Sequence, residues 1–162
     1  MPAFQILVQV MPVIGVISDT HGLLRPEVHK IFQNVDLILH AGDIGKPEIL
    51  EELKTLAPTI AVRGNNDVGP WATRIPESTK TAVGRISIFL IHDIKEMDPH
   101  DSAACDVIIA GHSHKPSVER RSGVLYLNPG SAGPRRFKLP VSVARLTVKQ
   151  SHLTARLIEL RT

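Results

Sequence analysis

Five short apolar runs of this chain each end in side chains that can ligate a metal ion, and this arrangement limits the folds open to it. The first run, residues 13–17, is largely β-branched, which is typical of a strand buried on both faces. Because ligands of open α/β sheets bind beyond the carboxyl ends of the strands, the side chains that follow the runs can converge on one rim. These side chains are Asp19 and His21, Asp43, Asn65, His92, and His112 with His114.

Two helical segments separate the first three runs. Helices are predicted from Pro26 and from Pro47, because proline is favoured in the first turn and apolar residues follow at helical spacing. This β-α-β-α-β order predicts parallel strands with right-handed crossovers. After residue 75 the pattern favours strands, beginning with an antiparallel hairpin of Thr79–Val83 and Arg85–Ile91. The other predicted elements are strands 35–39, 59–62, 107–110, 117–121, 124–127, 141–148 and 153–160, and a helix 99–104. The predicted class is α/β that becomes α+β, with two packed sheets and helices outside them.

Length and composition indicate one domain over residues 1–162 and argue against a disulfide-stapled protein, a membrane-spanning protein and a nucleic-acid-binding protein. Cys105 is the only cysteine, so no intramolecular disulfide can form, which fits a reducing cytoplasm; we expect this thiol to pack in the core. No apolar stretch approaches the ~20 residues that span a membrane. The net charge of +3 with 4% aromatic residues is weak support for anionic substrates and does not favour a nucleic-acid surface.

Residues 1–10 are apolar but lack a basic segment and a small-residue cleavage site, so they do not read as a signal peptide. Two alternatives remain: this stretch is an extra edge segment, or the native chain starts at Met11.

The ligand-type residues carry chemistry as a set. A single aspartate or histidine at a strand end is usually a turn residue, but turn chemistry does not produce seven such residues in series. Carboxylate and imidazole ligands suit Mn²⁺, Fe, Ni²⁺ or Zn²⁺, and the absence of thiolates argues against a structural zinc site. The series therefore predicts a two-metal hydrolytic centre.

The same motifs resemble the five signature blocks of the calcineurin-like metallophosphoesterases, and the Asn128–Ser131 segment is similar to that of the small YfcE-type phosphodiesterases. The resemblance covers residues 13–133 and implies a four-layer αββα sandwich of two mixed β-sheets. It implies that a hydroxide between two ions is the nucleophile, and it makes Asp43, Asn65 and Asp67 the candidate catalytic residues. The implied ligands are Asp19, His21 and His114 for one ion, Asn65, His92 and His112 for the second, and Asp43 as the bridge.

Two positions depart from the family pattern. Asn66 stands where many members have a histidine that protonates the leaving oxygen, which favours leaving groups that need little protonation. Asp67 is the nearest candidate helper, although fixing the Asn65 loop by hydrogen bonds is the favoured role. Asp93 stands where glycine is usual; it either orients an imidazole or begins a turn.

The sequence therefore predicts a cytoplasmic, dinuclear phosphodiesterase or phosphatase that acts on a small phosphoester, with Mn²⁺ as the favoured ion. The alternatives are a non-catalytic interaction scaffold of the retromer-subunit type and a nuclease. A homo-oligomer is allowed. His40 is interpreted as a structural residue. Phosphate contact is an alternative for Arg63, Arg135 and Arg136, but a solvent-exposed role is the favoured interpretation for each of them.

Overall fold

A computed structural model describes residues 11–150 and 152–162 of the chain. The described part contains ten strands, four short helices and one 3₁₀ turn, Ile94–Glu96. The strands are β1 Val13–Ile17, β2 Leu37–His40, β3 Thr59–Ala61, β4 Ser78–Val83, β5 Ile86–Ile91, β6 Val107–Ile109, β7 Ser117–Arg121, β8 Val124–Asn128, β9 Ser142–Lys149 and β10 His152–Glu159. The helices are α1 Pro26–Ile31, α2 Pro47–Lys54, α3 Pro70–Thr73 and α4 Pro99–Ser102.

The strands form two mixed five-stranded sheets, which confirms the predicted class. The first sheet has the order β10-β9-β1-β2-β3, in which β1, β2 and β3 are parallel and the β9–β10 hairpin is antiparallel to β1. The second has the order β4-β5-β6-β8-β7, with β5, β6 and β8 parallel and both edge strands antiparallel. The parallel strands of each sheet therefore direct their carboxyl ends the same way.

The core lies in three layers. Side chains of both sheets, among them Ile14 and Leu90, pack face to face in the central layer. The outer face of the first sheet packs on α1 and α2 through Phe32 and Leu53. The outer face of the second sheet packs on Cys105 and other residues around α4, so the predicted core position of this thiol is confirmed. The helices thus complete the predicted αββα order, with a thin layer over the second sheet.

Several predicted bounds differ from those observed. Strand 35–39 is wrong at both ends, because Asp36 turns the chain by accepting a hydrogen bond from the Val13 amide (2.8 Å) and pairing continues to His40. The helix predicted at 99–104 ends at Ser102. The one-turn helix α3 and the 3₁₀ turn have too few residues to show an apolar period, and neither was predicted.

The expectations for residues 1–10 lie outside the described residues. Among the described helices, none is both long and apolar enough to cross a membrane.

Candidate metal centre

The loops after five strands bring the predicted ligands together. β1, β2 and β3 of the first sheet lead to the loops that carry Asp19, Asp43 and Asn65. β5 and β6 of the second sheet lead to His92 and to the His112–His114 turn. The two sheets therefore share one site at the carboxyl ends of their parallel strands.

The backbone of these loops is strained at the ligand positions. Eight described residues other than glycine have a positive φ, and five of them are predicted ligands. Such conformations cost on the order of 1 kcal/mol or more each, and they concentrate at functional sites. The five are Asp19 (55°), His21 (47°), Asp43 (55°), His112 (68°) and His114 (64°).

One side of the site is formed around the buried carboxylate of Asp19. Its Oδ1 lies 3.2 Å from Nε2 of His114 and 3.7 Å from Nε2 of His21. The three side chains each present a ligand atom within 4.8 Å of the others. Oδ2 of Asp19 is held by the Ser18 hydroxyl (2.6 Å) and by the His112 amide (3.1 Å). One oxygen is thus fixed by the fold, and the other faces two imidazoles.

The other side is formed around His92. Its Nδ1 lies 2.6 Å from the carbonyl oxygen of Ala41, and since a carbonyl can only accept, Nδ1 carries the proton. Nε2 is directed into the site and faces Asn65 Oδ1 at 3.1 Å, Asp43 Oδ2 at 3.4 Å and Asp19 Oδ1 at 3.9 Å. Burial would lower the pKa of His92, but Asp43, Asp19 and the Ala41 carbonyl outweigh it and raise that pKa. The oxygens around Nε2 are thus satisfied by a second proton on the ring or by a bound cation.

The unpaired atoms point to the same conclusion. Asp19 Oδ1, His21 Nε2 and His114 Nδ1 are buried without a hydrogen-bond partner among the described residues. Burial would raise the pKa of Asp19, but the imidazole of His114, the Ser18 hydroxyl and His92 outweigh it and lower that pKa. The Asp19 carboxylate is therefore ionised at neutral pH. Ionised carboxylate and imidazole ligands with free electron pairs fit divalent cations.

Asn66 holds the carboxylate of Asp43. Its backbone amide donates to Oδ1 and its side-chain amide donates to Oδ2, both at 2.9 Å. Burial would raise the pKa of Asp43, but the hydrogen bonds from His92 and Asn66 outweigh it and hold this pKa far below its usual range. The residue that the sequence marks only as a missing acid thus positions a predicted ligand. Nothing in the sequence signals this role.

Asp67 ties two ligand loops together. It is buried, and its Oδ2 accepts hydrogen bonds from the amides of Gly64 (2.9 Å) and Ile44 (3.1 Å), while Oδ1 accepts from Gly45 (2.9 Å). Both oxygens are occupied by the backbone, which favours the loop-fixing role. A catalytic role for Asp67 stays a prediction.

Asp93 begins a turn beside His112. Its Oδ1 accepts from the Lys95 amide (3.0 Å) and begins the 3₁₀ turn. Its Oδ2 lies 3.7 Å from Nε2 of His112, which is longer than a hydrogen bond. Nδ1 of His112 lies 3.3 Å from Nε2 of His92 and so faces the site. These contacts support the turn-forming role, and orientation of an imidazole by Asp93 stays a prediction.

His40 joins the loops of the two aspartates. The Gly42 amide donates to its Nδ1 (3.1 Å), so the proton is on Nε2, which donates to the Thr20 hydroxyl (2.9 Å). That hydroxyl donates in turn to the Ile44 carbonyl (2.8 Å). Full burial lowers the pKa of His40 to about 4, so the ring is neutral. These contacts support the structural interpretation of His40.

Close packing around the site requires glycine at two positions. A Cβ on Gly64 would overlap the carboxylate and the amide of Asp43. A Cβ on Gly111 would overlap the hydroxyl of Ser18 and approach the carboxylate of Asp19. The Asn128–Ser131 turn also contacts this rim, because the Ser131 hydroxyl donates to the Asp19 carbonyl (3.1 Å). It supplies backbone support at the edge of the site.

A cavity of about 440 Å³ opens beside Asn65 and His92. Its walls carry Arg63, whose guanidinium is paired with Glu77 at 2.8 Å, and the carboxylates of Glu96 and Asp101. This volume accommodates a small organic group. The pairing with Glu77 leaves this side of the site with an excess of negative charge.

This chain is similar in sequence to a known family and to several known proteins. Residues 13–151 match the calcineurin-like phosphoesterase superfamily domain. A probable metallophosphoesterase of Methanothermobacter thermautotrophicus is 38% identical over 160 residues, which cover 90% of this chain and 91% of the relative. A phosphodiesterase of Methanocaldococcus jannaschii is 31% identical over 138 residues, which cover 72% of this chain and 82% of the relative.

Solved structures share the fold. Vps29 of Chaetomium thermophilum superposes with a TM-score of 0.79 at 22% identity, covering 93% of this chain and 89% of that one. The phosphoesterase YfcE of E. coli superposes with a TM-score of 0.65 at 20% identity, covering 92% of this chain and 100% of that one. At these identities the two structures establish the common fold and nothing further.

Proposed function

The chain belongs to the calcineurin-like phosphoesterase superfamily, and on that premise we propose that it is a phosphodiesterase that works with two divalent cations. The observation that carries the proposal is the pair of ligand groups around Asp19, one with His21 and His114 and one with Asp43 and His92, in each of which the ligand atoms lie within 4.8 Å of one another. Asp19 Oδ1 and His21 Nε2 are buried there without a hydrogen-bond partner among the described residues. A cation would satisfy these atoms, whereas a purely structural hydrogen-bond network would pair them.

We assign Asp19, His21 and His114 to one ion and Asn65, His92 and His112 to the other. Asp43 is the shared ligand, because its Oδ2 lies 3.8 Å from Nε2 of His21 and 3.4 Å from Nε2 of His92. Asp19 Oδ1 also approaches histidines of both sets. Asp43 is preferred as the shared ligand because Asn66 donates to both of its oxygens and so fixes the plane of the carboxylate.

Two bound divalent cations supply an activated water for attack on phosphorus and neutralise charge on the phosphoryl oxygens. In hydrolysis one P–O bond forms to the water oxygen and the P–O bond to the leaving alcohol breaks. The protein contributes a fixed array of ligands: the Ala41 carbonyl orients the ring of His92, and Asn66 orients the carboxylate of Asp43. Mn²⁺ is the ion we expect first for this set of oxygen and nitrogen ligands.

The residue at position 66 affects which leaving groups can depart. The amide of Asn66 donates to Asp43 and cannot release a proton at physiological pH. The leaving oxygen must therefore depart with little protonation or take its proton from water. Aryl phosphodiesters should be better substrates than alkyl phosphodiesters by a wide margin.

Hydrolysis of bis-p-nitrophenyl phosphate tests the proposal. We expect turnover after addition of Mn²⁺, and loss of kcat by at least about a thousandfold in Asp43→Asn and His112→Ala. Asp98→Asn and His100→Ala are matched controls, since both side chains are exposed at the start of α4 and hydrogen-bond to each other. The controls should retain wild-type turnover. Undetectable turnover by the wild type with Mn²⁺, Fe²⁺, Ni²⁺ or Zn²⁺ would overturn the proposal.

The scaffold alternative needs none of these ligands. The similarity to Vps29 concerns the fold, and no contact at the site favours a scaffold over an enzyme. A stable protein that binds neither metal nor phosphoester would favour that alternative. A nuclease would share the metal centre. Comparing the rates of hydrolysis of oligonucleotides and of small diesters distinguishes a nuclease from the proposed phosphodiesterase.

A further inference from the structure

We propose that residues 135–138, here called the basic-aromatic loop, select nucleotide phosphoesters as substrates, with Phe137 stacking on the nucleobase and Arg136 binding a phosphoryl oxygen. The inference rests on the proposed phosphodiesterase function and names the substrate class of that site.

Phe137 is an exposed aromatic residue that gains little from packing in the fold. It is 91% exposed, more than any other large apolar side chain among the described residues. Its backbone also has a φ of 53°, a conformation that residues other than glycine and asparagine rarely adopt. An exposed aromatic ring in a strained backbone is a feature of binding loops, where the ligand covers the ring.

The loop is attached directly to the metal centre. Just before it, the Gly133 amide donates to the Asp19 carbonyl (3.1 Å), and Arg25 donates to the Gly133 carbonyl (3.1 Å). Three residues lie between Gly133 and Phe137, so their Cα atoms lie within about 14 Å of each other. A nucleotide whose phosphate is at the metal centre spans a comparable length.

The charges of the loop fit an anionic ligand. Arg136 is exposed and follows closely after Gly133, which packs against the backbone of Asp19 and Thr20 next to His21. Lys138 adds a second exposed cation, whereas Arg135 is directed away by a hydrogen bond to Thr162 (2.7 Å). A guanidinium and an aromatic face side by side match a phosphate and a planar base.

The two sides of the metal centre thus differ in charge. The cavity beside His92 carries Glu77, Glu96 and Asp101, and only Arg63 offsets them. The basic-aromatic loop lies on the side of His21. An anionic nucleotide is therefore directed to the loop, and the cavity is left for the second, neutral alcohol of the diester.

A pair of substrates with the same leaving group tests the proposal. Thymidine 5′-(p-nitrophenyl) phosphate and methyl p-nitrophenyl phosphate differ only in the nucleoside. We expect the wild type to prefer the nucleotide in kcat/KM, mainly through KM, and Phe137→Ala to reduce that preference about tenfold. Phe137→Leu, which keeps an apolar side chain without a π face, should reduce it nearly as much. Arg136→Gln should weaken both substrates together.

Val118→Ala is the control, since Val118 is an exposed apolar residue on an edge strand of the second sheet. It should keep the wild-type preference. Equal kcat/KM for the two substrates in the wild type, or an unchanged preference in Phe137→Ala, would overturn the proposal.

Binding gives a readout that needs no catalysis. With Mn²⁺ bound, we expect AMP to bind more tightly than ribose 5-phosphate, and Phe137→Ala to remove the difference. The protein could instead bind AMP and ribose 5-phosphate equally well, while Phe137→Ala abolishes its sedimentation with anionic phosphatidylglycerol vesicles. In that case the loop is a membrane-binding element and the proposal is wrong. Nucleotide binding without any metal-dependent turnover would instead contradict the proposed phosphodiesterase and leave the loop assignment standing.

Discussion

Replacing His40 with asparagine should change the pH dependence of folding by a predictable amount. The neutral ring satisfies Gly42 and Thr20, and a second proton on Nδ1 would face the Gly42 amide. The unfolded chain therefore takes up a proton near the ordinary pKa of 6.5, whereas the folded chain resists until about 4. Because the unfolded state binds more protons in this range, stability is full above pH 6.5 and falls as the pH drops towards 4.

The size of the effect follows from the two pKa values. A difference of 2.5 between 6.5 and about 4, at 1.36 kcal/mol for each pKa unit, corresponds to about 3 kcal/mol. Asparagine removes the titration but also the bond to Thr20, so His40→Asn should be less stable than the wild type at pH 7. The difference between the two free energies of unfolding should then shrink by about 3 kcal/mol between pH 7 and pH 4.

Urea unfolding in EDTA at pH 7, 6, 5 and 4 measures this difference and cancels the titration of groups that both proteins share. His100→Asn is the control, because His100 is exposed and its loss should leave a curve parallel to that of the wild type. Parallel curves for the wild type and His40→Asn across this pH range would refute the reasoning.

Three further perturbations probe the supports of the site. Asp67→Asn places an amide group against backbone N–H donors and should cost about 3 kcal/mol, about 9 °C in Tm for a chain of this length; a variant with wild-type Tm and lost turnover would instead indicate catalysis. Asn66→Ala removes one of two hydrogen bonds to Asp43, so the pKa of Asp43 should rise in NMR titration and the Kd for Mn²⁺ should increase about tenfold in calorimetry; an unchanged Kd would contradict the positioning role. Gly64→Ala should weaken Mn²⁺ binding by more than about tenfold, because the new Cβ overlaps Asp43. Gly123 has open space around it, so Gly123→Ala should cost only about 1 kcal/mol of stability and is the control. Equal effects of the two substitutions on Mn²⁺ binding would argue against the steric explanation.

The fold was predictable where pattern and packing agree. The apolar run 13–17 is β1 residue for residue, because four of its five residues are buried and only Val13 is partly exposed. The start of β2 was placed too early, since Val35 is buried in the layer of α1 and not in the sheet. A run of apolar residues reports burial, and it does not distinguish a strand from the turn that leads into it.

The ligand-type residues of the site were predictable, but the way they are held was not. The positive φ of Asp19 and Asp43 has no signature in residue type, because both are ordinary turn residues in the sequence. The contacts of Asn66 with Asp43 join loops 23 residues apart and depend on the sheet register. Residue type and spacing predict which atoms could bind an ion. Tertiary contacts determine which carboxylate oxygens are held by hydrogen bonds and which remain free to bind an ion.

The number of manganese ions bound per chain distinguishes a two-ion centre from any other arrangement of these ligands. The protein is stripped with EDTA, dialysed to equilibrium against Mn²⁺, and analysed for elemental manganese per chain. We expect about two ions per chain in the wild type and about one in His114→Ala, because His114 is assigned to one ion only. A wild-type value near zero, or a value that His114→Ala and Asp43→Asn both leave unchanged, would be inconsistent with a two-ion centre.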